Sequence, residues 1–150
     1  MPTQIVIVAR PSAELRLALD ALDDLSDRVR HFSRPSKSIE KLLSSFGAST
    51  RHSIGAVLVE IGDPDTDVAE FVAGLRRDPA TALIPIVLFG PSDAYRRLVW
   101  QNGSRANSFV QTGSDPVVTT MMLTRTIHYW TVVNRAAEPS PAPSDNGSRA

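Results

Sequence analysis

Five short apolar runs, each followed by a segment whose apolar residues recur at helical spacing, constrain this chain more than any other feature. Ile5-Val6-Ile7-Val8 is β-branched throughout, as in a strand buried on both faces. Pro11-Ser12 ends it, and Leu15, Ala18, Leu19, Leu22 and Leu25 follow at helical spacing. Val29 to Phe32 reads as a weaker second strand, and Ile39, Leu42, Leu43 and Phe46 form a second helical stripe that stops at Gly47. Ile54 to Ile61 is the third run, and Asp65 or Thr66 can cap a helix carrying Val68, Phe71, Val72 and Leu75. Ile84 to Phe89 is the fourth, with Pro85 near its start, where a missing donor is tolerated. Ser92 or Asp93 can cap the next helix, with Tyr95, Leu98 and Val99, closed by Asn102-Gly103. Ser108 to Gln111 is the fifth run. Asp115 as N-cap and Pro116 as first helical residue open a last helix to about Asn134, although its Val and Thr content favours a strand locally.

Strand–helix alternation of this kind predicts an α/β fold: a doubly wound, flavodoxin-like sheet of five parallel strands. At 150 residues the chain fits one domain, expected over 1–136. Residues 137–150, rich in Pro and Ser without large apolar side chains, are expected to be a disordered tail. Sixteen basic and sixteen acidic residues cancel, so no overall field recruits nucleic acid or an anionic membrane. The absence of cysteine excludes disulfides, thiol catalysis and Cys-ligated zinc. His31, His52 and His128 lack ligand spacing, so no metal is expected. No glycine-rich phosphate cradle follows the first strand, and no cofactor is expected. No run is long enough for a signal peptide or membrane span, which makes a cytoplasmic protein the expectation.

The third run ends in a carboxylate, Glu60, and strand C-termini are where ligands bind in such sheets. Three local patterns sharpen this. Glu60 is followed four residues later by Pro64. Arg76-Arg77-Asp78-Pro79 leads into Ile84-Pro85-Ile86-Val87. Gly103 is followed by Ala106-Asn107-Ser108-Phe109-Val110. In these features the chain resembles the receiver domains of bacterial two-component response regulators, over roughly residues 4 to 135. The end, His128-Tyr129-Trp130-Thr131-Val132-Val133-Asn134, is similar to the last helix of stand-alone regulators that partner bacterial phytochromes.

The resemblance implies phosphoryl transfer from a partner's phosphohistidine to an aspartate. That chemistry uses an acidic pair for Mg²⁺, an acceptor aspartate, a hydroxyl, a lysine and a switch aromatic. The aligned positions here hold Ala9 and Arg10 for the acidic pair, Glu60 for the acceptor, Gly90 for the hydroxyl and Thr112 for the lysine, with Gly113 for the proline after it. Only the switch aromatic remains, as Phe109. A cation replaces a metal ligand, and the longer glutamate misplaces the nucleophile for in-line transfer. Asp63 or Asp65 in a shifted register, or Ser92 as a late hydroxyl, would not restore the metal ligands. The expectation is a degenerate receiver that is not an enzyme and acts by protein contacts, as a homodimer and with a sensor histidine kinase, such as a phytochrome-type one, or another signalling protein. Rival readings are a conventional phosphoacceptor regulator and an α/β protein binding a flavin or quinone in the same crevice. Glu60 and Arg10 could pair inside the old pocket, or Glu60 could be a solvated strand end with Arg10 turned away. Trp100, Tyr129 and Trp130 are interface candidates, because the last helix is apolar on more than one face. Arg76-Arg77 and Arg96-Arg97 read as solvated charge pairs.

Overall fold

The computed structural model describes residues 3–47, 53–62, 66–102, 106–113 and 115–133. The order is β1 (Thr3–Val8), α1 (Ala13–Ala21), a 3₁₀ turn (Asp23–Arg28), β2 (Val29–Phe32), α2 (Lys37–Gly47), β3 (Ser53–Glu60) and α3 (Thr66–Arg77). Then come β4 (Ile86–Gly90), α4 (Ser92–Asn102), β5 (Ser108–Gln111), α5 (Pro116–His128) and a π-helical turn (Tyr129–Val133). The five strands are all parallel and lie in the order β2-β1-β3-β4-β5. This is the doubly wound sheet expected from the alternation. The chain winds outward from β1 to β2 and then back across it, so the strand order reverses between β1 and β3. In open α/β sheets that reversal places a crevice beyond the strand C-termini.

Both sheet faces are covered, which explains the unbroken apolar runs. Val6, Val8, Val57, Val59, Ile86 and Leu88 pack with residues of α2, α3 and α4. Ile5, Ile7, Ala56, Leu58, Val87 and Phe89 pack with residues of α1 and α5. Capping fixes where the helices begin. The Ser12 hydroxyl accepts from the Leu15 N–H (3.1 Å), and the Asp115 carboxylate accepts from the Val117 and Val118 N–H groups (2.9 and 3.4 Å). Pro116 occupies the first turn of α5. The threonines that favoured a strand locally are accommodated by back-bonding. Thr120, Thr124, Thr126 and Thr131 each donate to the carbonyl four residues earlier, at 2.6–2.8 Å.

Some boundaries differ from expectation. Leu25 lies in the 3₁₀ turn, outside α1. β4 begins at Ile86 instead of Ile84. Pro85 has no N–H to donate, and the Ile86 N–H bonds the Asn107 side chain (2.8 Å). Neither Ser92 nor Asp93 precedes α4. Tyr95 N–H donates to the Pro91 carbonyl (3.2 Å), which makes Pro91 the residue before the first turn. The α-helical part of the last helix stops at His128, where the π turn takes over. The expectations for His52, Asp63, Pro64, Asp65, Gly103, Asn134 and the 137–150 tail lie outside the described residues.

Candidate functional site

The in-register parallel strands bring their C-terminal ends to one edge of the sheet. Val8 pairs with Val59, Glu60 with Phe89, and Gly90 with Gln111. Arg10, Glu60, Gly90 and Thr112, far apart in sequence, therefore border one crevice of about 500 Å³, with Asp93 and Arg97 on its α4 side. A second crevice of about 420 Å³ extends toward Ser33 and Arg34. Arg10 and Glu60 line both crevices, together with Ala9 and Gly62.

Of the two readings of Glu60, the paired one matches the structure. A single carboxylate oxygen, Oε1, accepts from the Arg10 main-chain N–H (3.0 Å) and from the Arg10 Nε–H (3.3 Å). Arg10 lies beyond the last paired residue of β1, so its N–H has left the ladder and needs an acceptor. The Glu60 side chain reaches across from the adjacent strand and supplies one. The Arg10 side chain is 75% exposed against 24% for Glu60, so the charge pair contributes no more than ~1 kcal/mol. Behind this pair, His31 Nε2 hydrogen-bonds the Ala9 carbonyl (2.8 Å), a structural use of that histidine.

The resemblance implies a divalent cation at this crevice, and the described donor set does not fit one. Ala9 offers no side-chain oxygen, and the Arg10 guanidinium already lies on the Glu60 carboxylate. Glu14 and Asp93 also border the crevice, yet among the described residues no three acidic or histidine side chains converge as a metal cluster. A hard cation wants several oxygen ligands. A guanidinium in their place supplies charge without coordination.

Gly90 is constrained by backbone geometry. Its φ is +154°, a value L-residues rarely adopt. A Cβ built there would meet the Ile61 carbonyl oxygen at 3.0 Å and the Ile61 Cβ at 3.5 Å. Main-chain bonds lace the strand ends at this point. Ile61 N–H donates to the Phe89 carbonyl and Thr112 N–H to the Gly90 carbonyl, both at 2.9 Å. A side chain here would strain the backbone and push the Ile61 carbonyl aside by a few tenths of an ångström, so the position disfavours a hydroxyl-bearing residue as well as lacking the hydroxyl itself. Thr112 is buried at 8% exposure and brings no cation to the crevice.

Phe109 faces α4, where its ring stacks on Tyr95 with centroids 4.1 Å apart and planes 14° from parallel. The sequence puts Tyr95 on a helix and Phe109 on a strand, but no local pattern signals that they meet. Trp100 is 89% exposed on α4, and Tyr129 is half-exposed beyond α5. Trp130 is partly buried against the α1/α5 core layer and meets Tyr129 edge-to-face at 5.3 Å. Arg77, Arg96 and Arg97 are solvated charges as expected, but Arg76 is not. It donates to the Ala82 and Ile84 carbonyls (2.8 and 2.7 Å) and to the Asn107 side chain (2.8 Å). Burial lowers the Arg76 pKa. Two of the patterns that carried the resemblance are therefore halves of one brace at the N-terminal ends of β4 and β5.

No protein-family model matches the chain, and neither does any curated protein. Solved structures do. The Mn²⁺-bound form of response regulator Rcp1 is similar with TM-score 0.64 and 16% identity, over 94% of this chain and 100% of that one. The phosphorylated cyanobacterial phytochrome response regulator RcpA has TM-score 0.64 and 16% identity, over 96% and 100%. A response regulator from Hahella chejuensis has TM-score 0.64 and 20% identity, over 88% and 98%. The chain has the response-regulator receiver fold that its sequence resembles, at identities that establish the fold alone.

Proposed function

We propose that this chain is a signalling module of the two-component type that works through protein contacts, without being phosphorylated. One observation carries the reading: the carboxylate at the acceptor-equivalent position is already engaged by Arg10, through both its main-chain N–H and its guanidinium. Ala9, Gly90 and Thr112 support it, because none supplies the metal ligand, hydroxyl or cation that phosphoryl transfer at a strand end requires. In this reading Glu60 places a permanent negative charge at the end of β3, and no reaction adds or removes it.

The partner we favour is a sensor histidine kinase of phytochrome type. Among the structurally similar proteins are a cyanobacterial phytochrome response regulator and a bacteriophytochrome response regulator. A homodimer in the cytoplasm completes the proposal. Phe109 keeps the switch-aromatic position, and Trp100 and Tyr129 are the exposed aromatics available for contact. No described helix is long and apolar enough to cross a membrane.

The test is incubation of the full chain with radiolabelled acetyl phosphate and Mg²⁺, followed by intact-mass and peptide analysis. No incorporation is expected. An acid-sensitive phosphoryl label on Glu60, Asp63 or Asp65 would overturn the reading in favour of a phosphoacceptor regulator.

A further inference from the structure

We infer that the Tyr95–Phe109 stack is a constitutive latch that fixes α4 against β5, independently of the charge state at Glu60. The inference rests on the phosphorylation-independent reading and adds what sets the conformation in that case. α4 is held at its start by the Gly90–Pro91 step. Gly90 has an uncommon backbone conformation in which an added Cβ would crowd the Ile61 carbonyl, and the Pro91 carbonyl begins the helix. Ala94 and Leu98 pack beneath it against the β3/β4 core layer. The lateral tie to β5 is aromatic. Tyr95 lies on the first turn of α4 and Phe109 within β5, and their rings overlap face to face at 4.1 Å and 14°.

A stack of two half-buried rings stabilises one arrangement beyond the area it buries. Gly90 stands between Glu60 and α4 and carries no side chain, so it offers no side-chain hydrogen-bonding group to relay a change at Glu60 into the helix, and its carbonyl is taken by the Thr112 N–H. Rearrangement of Phe109 therefore requires Tyr95 to leave it. Trp100, one to two turns farther along α4 and 89% exposed, is displayed from a helix whose position the latch sets. Tyr95 acts here as a positioning residue.

Hydrogen exchange with mass spectrometry on the full chain tests this, using Tyr95→Ala, Tyr95→Phe and Glu60→Ala beside the parent. Tyr95→Ala is expected to raise exchange in the α4 and β5 peptides about tenfold, with β1 and β3 unchanged. Tyr95→Phe, which keeps the stack, is expected to leave α4 at the parental rate, and Glu60→Ala to raise α4 exchange no more than it raises that of β1 and β3. Three results would overturn the latch: unchanged α4 exchange in Tyr95→Ala, a rise in Tyr95→Ala spread equally over β1 and β3, or a comparable rise in Glu60→Ala confined to α4 and β5. None of these depends on whether the protein takes up phosphate, so failure here is distinct from failure of the proposed function.

Discussion

Replacing Gly90 by serine, the substitution that would restore a hydroxyl beside Glu60, should weaken the domain instead of repairing it. The backbone at φ +154° is open to glycine and strained for any other residue, a cost of about 1–3 kcal/mol. The new Cβ would stand 3.0 Å from the Ile61 carbonyl oxygen, a backbone atom of a residue 1% exposed. Relief requires moving the β3 exit, at roughly 1–2 kcal/mol by the overpacking scale. Loss of glycine's freedom in the unfolded chain works the other way by about 0.4–1 kcal/mol. The net expectation is a loss of about 1–5 kcal/mol, centred on about 3 kcal/mol, which at the centre is roughly 6–12 °C in Tm for a domain of this size. Urea titration followed by circular dichroism should show a lower midpoint with an unchanged slope. Gly113→Ala is the control, because a Cβ there meets nothing closer than Asp115 N at 4.0 Å. It should be neutral or gain up to about 1 kcal/mol. A Gly90→Ser protein within about 0.5 kcal/mol of the parent would refute the reasoning.

Three further expectations concern the rest of the molecule. A double-mutant cycle on Arg10→Ala and Glu60→Ala should give a coupling of about 0.2–1 kcal/mol that fades in 1 M salt, with Glu60→Ala the costlier single change because it also strands the Arg10 N–H. Asn107→Ala should cost about 2–3 kcal/mol in chemical denaturation, since its Oδ1 accepts from both Ile86 N–H and Arg76, and adding Arg76→Ala should cost less than the sum of the two. The Asp78 carboxyl is held below the usual carboxylate range by the Ala80 N–H and then by the Ser44 side chain. Its contribution is present above the unfolded-state pKa and lost as pH falls through the lower folded value, so Asp78→Asn should flatten the acid limb of a stability–pH curve.

What the sequence made legible follows from burial. Ile5 to Val8 and Ala56 to Val59 are covered on both faces, and that condition writes itself as an unbroken apolar run. α5 was legible despite its Val and Thr content because Asp115-Pro116 is a start signal that local propensity does not cancel. The Glu60–Arg10 pair was open to anticipation, since two opposite charges follow neighbouring strands, but the use of the Arg10 main-chain N–H was not. Gly90 was read as a missing hydroxyl, because a glycine in a sequence records no side chain and carries no value of φ. Arg76 departs from its sequence pattern for a related reason. An arginine pair at the end of a helix looks solvated, and the acceptors that bury Arg76 lie six, eight and thirty-one residues away. The meeting of Tyr95 with Phe109 depends on where α4 comes to rest, which no local pattern encodes.

The brace of Arg76 and Asn107 sits at one pole of the sheet and the Glu60 crevice at the other. Anchorage and chemistry are thereby assigned to opposite poles. A protein arranged in this way can exchange polar side chains at its crevice pole while the opposite pole keeps β4 and β5 in register. For an engineer, the polar side chains of the crevice are the ones to randomise with Gly90 kept, and Arg76, Asn107 and the Ile86 amide are the contacts to leave untouched.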